Sequence, residues 1–297
     1  MRKVAALWRL MRPYQWVKNG FVLVGLIFGH GWSDHDLVIR VAALFGGFCL
    51  VSSGVYVLND IMDRHADRAH PHKRARPVAS GDVSVPVALA WALLLWIGGL
   101  LWAFSASVTA AVIALAYIAI NMAYSAGLKH VAILDVFLIA AGFMLRLLAG
   151  TLGVGIEPSR WLLGCGLMLT LFLGFAKRRA ELESLASDGD SSGREVVPQR
   201  RSLQDYSPAL LNPLIGICAA GSAIGYALYT MDTQTVAMHG TDKLIWTVPF
   251  VLYGLFRYLY AIYARGAGAD AARDVLGDPH VIGALLGWLA SSYWLIR

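Results

Sequence analysis

The chain alternates between long apolar runs and short polar breaks. Apolar runs close to the length that crosses a bilayer as a helix, about 20 residues, occupy residues 37–62, 84–104, 107–125, 131–153, 159–179, 208–230, 243–263 and 280–296, with a shorter one at 17–32. They predict an all-α, polytopic integral membrane protein of about nine transmembrane helices. Helices suit this setting because each satisfies its own backbone hydrogen bonds, which hydrocarbon cannot do. Residues 1–16 read differently. Their Lys and Arg residues alternate with Trp8, Leu10, Met11 and Trp16, which predicts an amphipathic segment lying at the membrane interface. The polar stretches 64–82 and 183–207 are expected to be loops, the second because it carries Ser-Asp-Gly-Asp-Ser-Ser-Gly. Neither a soluble domain nor a short tandem repeat is evident, so residues 1–297 are expected to form a single membrane-embedded domain.

Composition supports the pattern. Hydrophobic residues make up 58% of the chain, charged residues 15%, and the mean hydropathy is +0.59. The N-terminal residues carry several cations and no long apolar core before Val17, so they do not read as a secretory signal. Cys49, Cys165 and Cys218 lie singly in apolar runs and read as small packing residues. A net charge of +6 raises the question of nucleic acid. Its distribution answers it: most of the 25 Lys and Arg fall in alternate loops, the positive-inside pattern of a membrane protein. The N-terminus and the loops at 64–82 and 183–207 are then expected on the cytoplasmic side of the plasma (inner) membrane.

One polar stretch sits at the end of an apolar run: Asn59-Asp60-Ile61-Met62-Asp63-Arg64-His65-Ala66-Asp67. At about 100° per residue, Asn59, Asp60, Asp63 and Asp67 fall within roughly one quadrant of a helix. Three neighbouring carboxylates repel unless a cation sits among them. Oxygen ligands without His or Cys suit Mg²⁺, which shares its coordination with water and substrate phosphates. Asp60, Asp63 and Asp67 are therefore candidate catalytic residues, and all four are candidate metal ligands. The plainer alternative is a solvated acidic helix end.

Cations follow directly. Lys73, Arg74 and Arg76 are natural phosphate partners, and carboxylates beside them point to a Mg²⁺–diphosphate site; the alternative is topology alone. His65, His70 and His72 match no ordinary zinc spacing. Lys129 lies in a loop expected on the same side, and Lys177 and Arg178 lie at another helix end. Within one predicted helix, Asp135 and Arg146 share a face but stand too far apart along it to pair. An intramembrane Arg faces a bundle interior or a wet cavity, so Arg146 reads as a substrate ligand or a helix–helix clamp. Tyr56 and Asn121 read as weaker site candidates or as bundle hydrogen bonds.

The acidic motif, R-P-x-x-x-G at 76–81, Y-x-x-x-L-K at 124–129 and the nine-span plan resemble the UbiA-type intramembrane prenyltransferase superfamily. Arg12-Pro-Tyr-Gln-Trp-Val-Lys-Asn19, Tyr56-Val-Leu-Asn-Asp60, His70-Pro-His-Lys73, Gly127-Leu-Lys-His130 and Ala176-Lys-Arg-Arg-Ala-Glu-Leu182 resemble its decaprenyl-phosphate phosphoribosyltransferase branch. The resemblance implies a helical bundle around a central cavity. It implies Mg²⁺-dependent transfer of phosphoribose from phosphoribosyl pyrophosphate (PRPP) to a polyprenyl phosphate, for cell-wall biogenesis. In that scheme Asn59 and Asp63 hold the metal, with Asp60 and Asp67 as further ligands. Lys73 neutralises the leaving pyrophosphate, with Arg74 and Arg76 as further phosphate partners, and Lys18 and Tyr56 position the ribose phosphate. Lys129 and Arg146 orient the acceptor phosphate or share the donor.

One departure from the wider superfamily is informative. Its usual second aspartate-rich motif is replaced by Lys177-Arg178-Arg179-Ala180-Glu181-Leu182-Glu183. Cations there suit a lipid monophosphate better than a second metal–diphosphate. Two rivals remain: an aromatic prenyltransferase that moves a polyprenyl group to a 4-hydroxybenzoate-like acceptor, and a membrane transporter. Expected partners are PRPP, the polyprenyl phosphate and the bilayer, without nucleic acid. Oligomeric state is open, a homo-oligomer being one alternative.

Overall fold

The computed structural model describes residues 2–29, 34–69, 73–192 and 201–296. Every regular element among them is helical. The chain divides into two compact units, Met1–Leu128 with Leu145–Glu157, and Lys129–Met144 with Pro158–Arg297.

The first unit begins with α1 (Arg2–Met11), a 3-10 segment (Pro13–Leu23) and α2 (Val24–Phe28). A long helix follows, α3 (His35–Met62), then α4 (Arg64–Ala69), a 3-10 turn (Lys73–Ala75), α5 (Pro77–Ser80), α6 (Val85–Ala106) and α7 (Val108–Ala126). Local chemistry sets the ends. The Asp34 carboxylate caps α3 by accepting from the Leu37 N–H at 3.0 Å. Pro at the first turn opens α5 and α6. Ser107 is extended, separates α6 from α7, and its hydroxyl caps α7 through the Ala110 N–H at 2.9 Å.

Small residues let these helices approach. A Cβ on Gly99 would stand 2.7 Å from the Gly47 carbonyl oxygen, so α3 and α6 pack backbone to backbone. The end of α8 (Leu134–Ala149) also belongs to this unit, and there Gly150 lies against the 3-10 segment and α2: a Cβ on Gly25 would stand 1.9 Å from the Gly150 oxygen. Two apolar cores result. One gathers Val22, Leu44, Phe48, Val51, Tyr117 and Ala149; the other gathers Leu10, Met11, Val57, Val78 and Leu95, which anchors α1.

The second unit holds the start of α8, then α9 (Arg160–Ser192), a 3-10 segment (Arg201–Asp205), α10 (Pro208–Met231), α11 (Thr233–His239), α12 (Val248–Arg265), α13 (Ala271–Gly277) and α14 (Pro279–Ile296). Its core is built from Val136, Phe172, Phe175, Leu211, Ile215, Tyr258 and Ile262.

Among the described residues, eight helical segments are long and apolar enough to span a membrane. Large apolar side chains such as Leu94, Leu101, Phe104, Val112 and Phe256 lie exposed along them, as lipid-facing surfaces require. The chain is a multi-pass membrane protein. The predicted segment at 17–32 differs from the rest: it is a 3-10 stretch followed by the short α2, and residues 30–33 lie outside the described set. The polar stretch expected to start at 183 instead continues α9 to Ser192, because Leu182 and Leu185 carry its apolar face onto the core. Residues 193–200 and 297, and His70 and His72 of the cationic loop, lie outside the described set.

Candidate active site

The acidic motif, Asn59–Asp67, occupies the end of α3 and the first four residues of α4. Asp63 caps α3, yet the i→i−4 hydrogen bonding carries on through it: the Asp63 N–H donates to the Asn59 oxygen at 2.9 Å and the Asp67 N–H to the Asp63 oxygen at 2.8 Å. The motif thus keeps nearly the helical spacing that its sequence predicts.

The side chains do not act as one quartet. Asp60 and Asp67 are each only 2% exposed, a costly place for a carboxylate without a partner. Arginines supply the partners. The Arg12 guanidinium lies 2.5 Å from the Asp60 carboxylate, and Arg76 lies 3.3 Å from Asp60 and 2.7 Å from Asp67. Asn59 accepts a short hydrogen bond from the Ser125 hydroxyl of α7. Asp63 is half-buried. The cation that the crowded carboxylates require is therefore provided, in part, by the protein itself.

Arg12 reaches Asp60 from an unusual backbone. It adopts a left-handed conformation, φ 51° and ψ 59°, at the junction of α1 and the 3-10 segment, which costs about 1–3 kcal/mol for a non-glycine residue. Neighbouring contacts hold it there. The Ser53 hydroxyl donates to the Met11 carbonyl at 2.9 Å, Trp16 Nε1 donates to Ser53 Oγ at 3.0 Å, and the Arg12 guanidinium lies 5.3 Å from the Tyr56 ring centroid. Arg12 belongs to the Arg12–Asn19 motif and Ser125 to the Tyr124–Lys129 motif. In each case the signal was the motif, and the contact partner lay far along the chain.

The cations divide by environment. Lys18, Tyr56 and Lys73 are half-buried and Arg74 is exposed. Arg146, 4% exposed, sits in a polar clamp: its Nε donates to Asn19 Oδ1 at 2.7 Å and its Nη2 to the Tyr117 hydroxyl at 2.7 Å. Asn19 is itself tied to Ser52 at 3.2 Å. These contacts match the helix–helix clamp rather than an open ligand position.

In the second unit, Lys129 and Lys177 are half-buried, but Arg178 is fully enclosed. Its Nε lies 2.7 Å from the Asp135 carboxylate, and it also pairs with Glu181. Arg179 pairs with Glu183 at 2.8 Å and donates to Asn212 Oδ1 at 2.8 Å. Glu181 and Glu183 are thus each paired with a nearby arginine.

Asp135 also accepts from the Tyr206 hydroxyl at 2.7 Å. Burial, together with that carboxylate, pushes the Tyr206 hydroxyl above its ordinary pKa. Sequence reasoning missed Tyr206, Asn19 and Tyr117, whose roles depend on contacts between distant parts of the chain.

Among the described residues, no three His, Cys, Asp or Glu side chains meet at metal-binding spacing. The donor chemistry still fits Mg²⁺ in a limited way. Asn59 and Asp63 offer hard oxygens one helical turn apart, and Mg²⁺ commonly takes one or two protein oxygens plus water and substrate phosphates.

With this geometry in place, similarity becomes informative. A family model, the UbiA prenyltransferase family, matches residues 20–275. The chain belongs to the UbiA prenyltransferase family. It is 31% identical to the decaprenyl-phosphate phosphoribosyltransferase of Mycolicibacterium smegmatis, covering 97% of this chain and 91% of that protein. It is 34% identical to the enzyme of the same name from Corynebacterium glutamicum, covering 88% and 78% of the two chains. The structure of a UbiA homolog from Archaeoglobus fulgidus bound to GPP and Mg²⁺ superposes with a TM-score of 0.69 at 17% identity, covering 98% of this chain and 99% of that one. At that identity the likeness shows the shared fold. Membership of the UbiA family makes this chain an enzyme of the intramembrane transferase type.

Proposed function

We propose that this enzyme transfers 5-phosphoribose from PRPP to a polyprenyl phosphate and releases pyrophosphate. The observation that carries the reading is the fate of the second acidic position. Glu181 and Glu183 are neutralised by Arg178 and Arg179, so that position offers no carboxylate cage for a second metal–diphosphate. A lipid monophosphate needs only cations. The relatives named as decaprenyl-phosphate phosphoribosyltransferases add weight through their coverage of the chain.

The donor is assigned to the first unit. Asn59 and Asp63 would hold Mg²⁺, which when bound would draw charge from the leaving diphosphate. Lys73 and Arg74 add positive charge for the same phosphates, and Lys18 and Tyr56 position the ribose phosphate. Asp60 and Asp67, held by Arg12 and Arg76, keep the acidic helix in place. Arg146 is assigned to the scaffold. In the second unit, Lys129 and Lys177 are assigned to the lipid phosphate.

The bond between the ribose anomeric carbon and the pyrophosphate oxygen breaks, and pyrophosphate leaves with the electron pair. A lipid phosphate oxygen forms the new bond to that carbon. The acceptor is already an anion near neutral pH, so no strong general base is needed. The positive-inside pattern of the loop cations supports a cytoplasmic N-terminus and acidic motif, on the side where a water-soluble donor such as PRPP would enter.

The test supplies purified protein and Mg²⁺ with labelled PRPP and a panel of polyprenyl phosphates. In parallel, a labelled prenyl diphosphate is offered with 4-hydroxybenzoate. Label moving from PRPP to the lipid supports the proposal. Label moving only to the aromatic acceptor replaces it with the rival prenyltransferase.

A further inference from the structure

The loop that carries Lys129 is braced from outside, in part by Tyr206 and Ser202, which no motif singled out. It runs from the 3-10 turn Leu128–His130 to the start of α8. Within it Ile133 has a φ of 67°, a left-handed backbone that a β-branched residue rarely adopts. Such strain persists only where the surroundings over-determine the conformation. Here they do. The Ile133 N–H donates to the Tyr206 hydroxyl oxygen at 2.6 Å, and that hydroxyl donates onward to Asp135 at 2.7 Å. Asp135 is pinned in turn by the enclosed Arg178 at 2.7 Å. At the other end of the loop, the buried Ser202 hydroxyl donates to the Lys129 carbonyl oxygen at 2.9 Å. The 3-10 segment Arg201–Asp205 and the residue after it thus fasten both ends of the stretch from Lys129 to Ile133.

We propose that Tyr206 is a positioning residue, which together with Asp135 and Arg178 locks this loop so that Lys129 is presented to the phosphate of a lipid substrate. The proposal rests on the reading of Lys129 as a lipid-phosphate ligand. It also gives Arg178 a different task from the substrate contact that its motif implied: its charge is spent on Asp135 and Glu181.

The test measures farnesyl phosphate binding to the full-length protein in nanodiscs, for wild type, Tyr206→Phe, Lys129→Ala and the double variant. Tyr206→Phe keeps the ring in the core and removes only the hydroxyl. We expect its Kd to rise about three- to tenfold, the scale of one lost anchoring hydrogen bond, and the same substitution to add nothing once Lys129 is gone. Hydrogen exchange across residues 129–134 should quicken in Tyr206→Phe. No binding by wild type, an unchanged Kd in Tyr206→Phe, equal losses in both backgrounds, or no effect of Lys129→Ala would each overturn the proposal. A lipid phosphate is the acceptor in phosphoribosyl transfer and an analogue of the donor in prenyl transfer. The binding cycle therefore reads the positioning role under either activity, while failure to transfer phosphoribose would remove only that reading.

Discussion

Arg76 reaches back nine residues to Asp67, and the 2.7 Å contact between them joins the cationic loop to the acidic helix. The same guanidinium also faces Asp60 at 3.3 Å. Replacing Arg76 with Met would leave two carboxylates, each 2% exposed, short of a countercharge. Removing one partner of a buried pair typically costs about 3–5 kcal/mol; Arg76 is partly exposed and Asp60 keeps Arg12, so we expect about 2–3 kcal/mol. Thermal unfolding in detergent measures it, and a Tm equal to wild type would refute the anchoring role.

Asp63 should behave differently from its neighbours. It is assigned to Mg²⁺, and Asn preserves its size while removing the charge. Asp63→Asn should lose turnover at limiting Mg²⁺ and recover part of it at high Mg²⁺, with Tm unchanged. Full activity of the variant in the presence of chelator would remove Asp63 from the metal.

Arg146 separates clamp from ligand. Its Nε and Nη2 are both engaged, by Asn19 and Tyr117. Arg146→Met should therefore destabilise the fold by about 2–4 kcal/mol, because it leaves buried polar partners unsatisfied. Tyr117→Phe should show a smaller loss of about 1 kcal/mol. If Arg146→Met instead unfolds like wild type and only raises KM, the residue contacts substrate.

Gly25 and Gly150 meet so closely that neither has room for a methyl group: the added Cβ would stand 1.9 Å from the Gly150 oxygen in one case and 1.8 Å from the Val22 oxygen in the other. Gly25→Ala should cost more than the about 1–3 kcal/mol of ordinary overpacking, since the obstacle is backbone. Gly216→Ala, which meets nothing within 4 Å, is the control. Equal yields and equal Tm values for the two variants would contradict the close approach.

Tyr206 brings a pH dependence. Its hydroxyl is held protonated by burial and by Asp135, so its pKa is raised on folding. The stabilisation is complete below about pH 10, the ordinary tyrosine value, and is lost as pH rises through 10 toward the raised folded-state value. The Tm advantage of wild type over Tyr206→Phe should be constant from pH 6 to 9 and shrink above about 10. A gap that widens at alkaline pH would show the sign to be wrong.

By itself, the sequence determined that this is a helical membrane protein of about nine crossings. Runs of apolar residues near 20 long have few other stable outcomes in a bilayer. It also located the acidic motif on a helix, because Asn59, Asp60, Asp63 and Asp67 follow the helical period, and the period is a local property. The conformation at 17–32 was beyond its reach: apolarity is the same for a 3-10 segment and an α-helix, and the close approach of Gly150 to Gly25 is a tertiary fact.

The tertiary structure alone decided which buried charges pair with one another. In one dimension Arg12 reads as one of the cations of an interfacial segment, and Arg76 and Arg178 read as phosphate ligands. In the folded chain they neutralise Asp60, Asp67 and Asp135, partners up to 48 residues away. Charge pairing depends on distance in space and on burial, and a residue list holds neither. For the same reason Tyr206, 71 residues from Asp135, carried no signal until the fold placed its hydroxyl between that carboxylate and the strained backbone of Ile133.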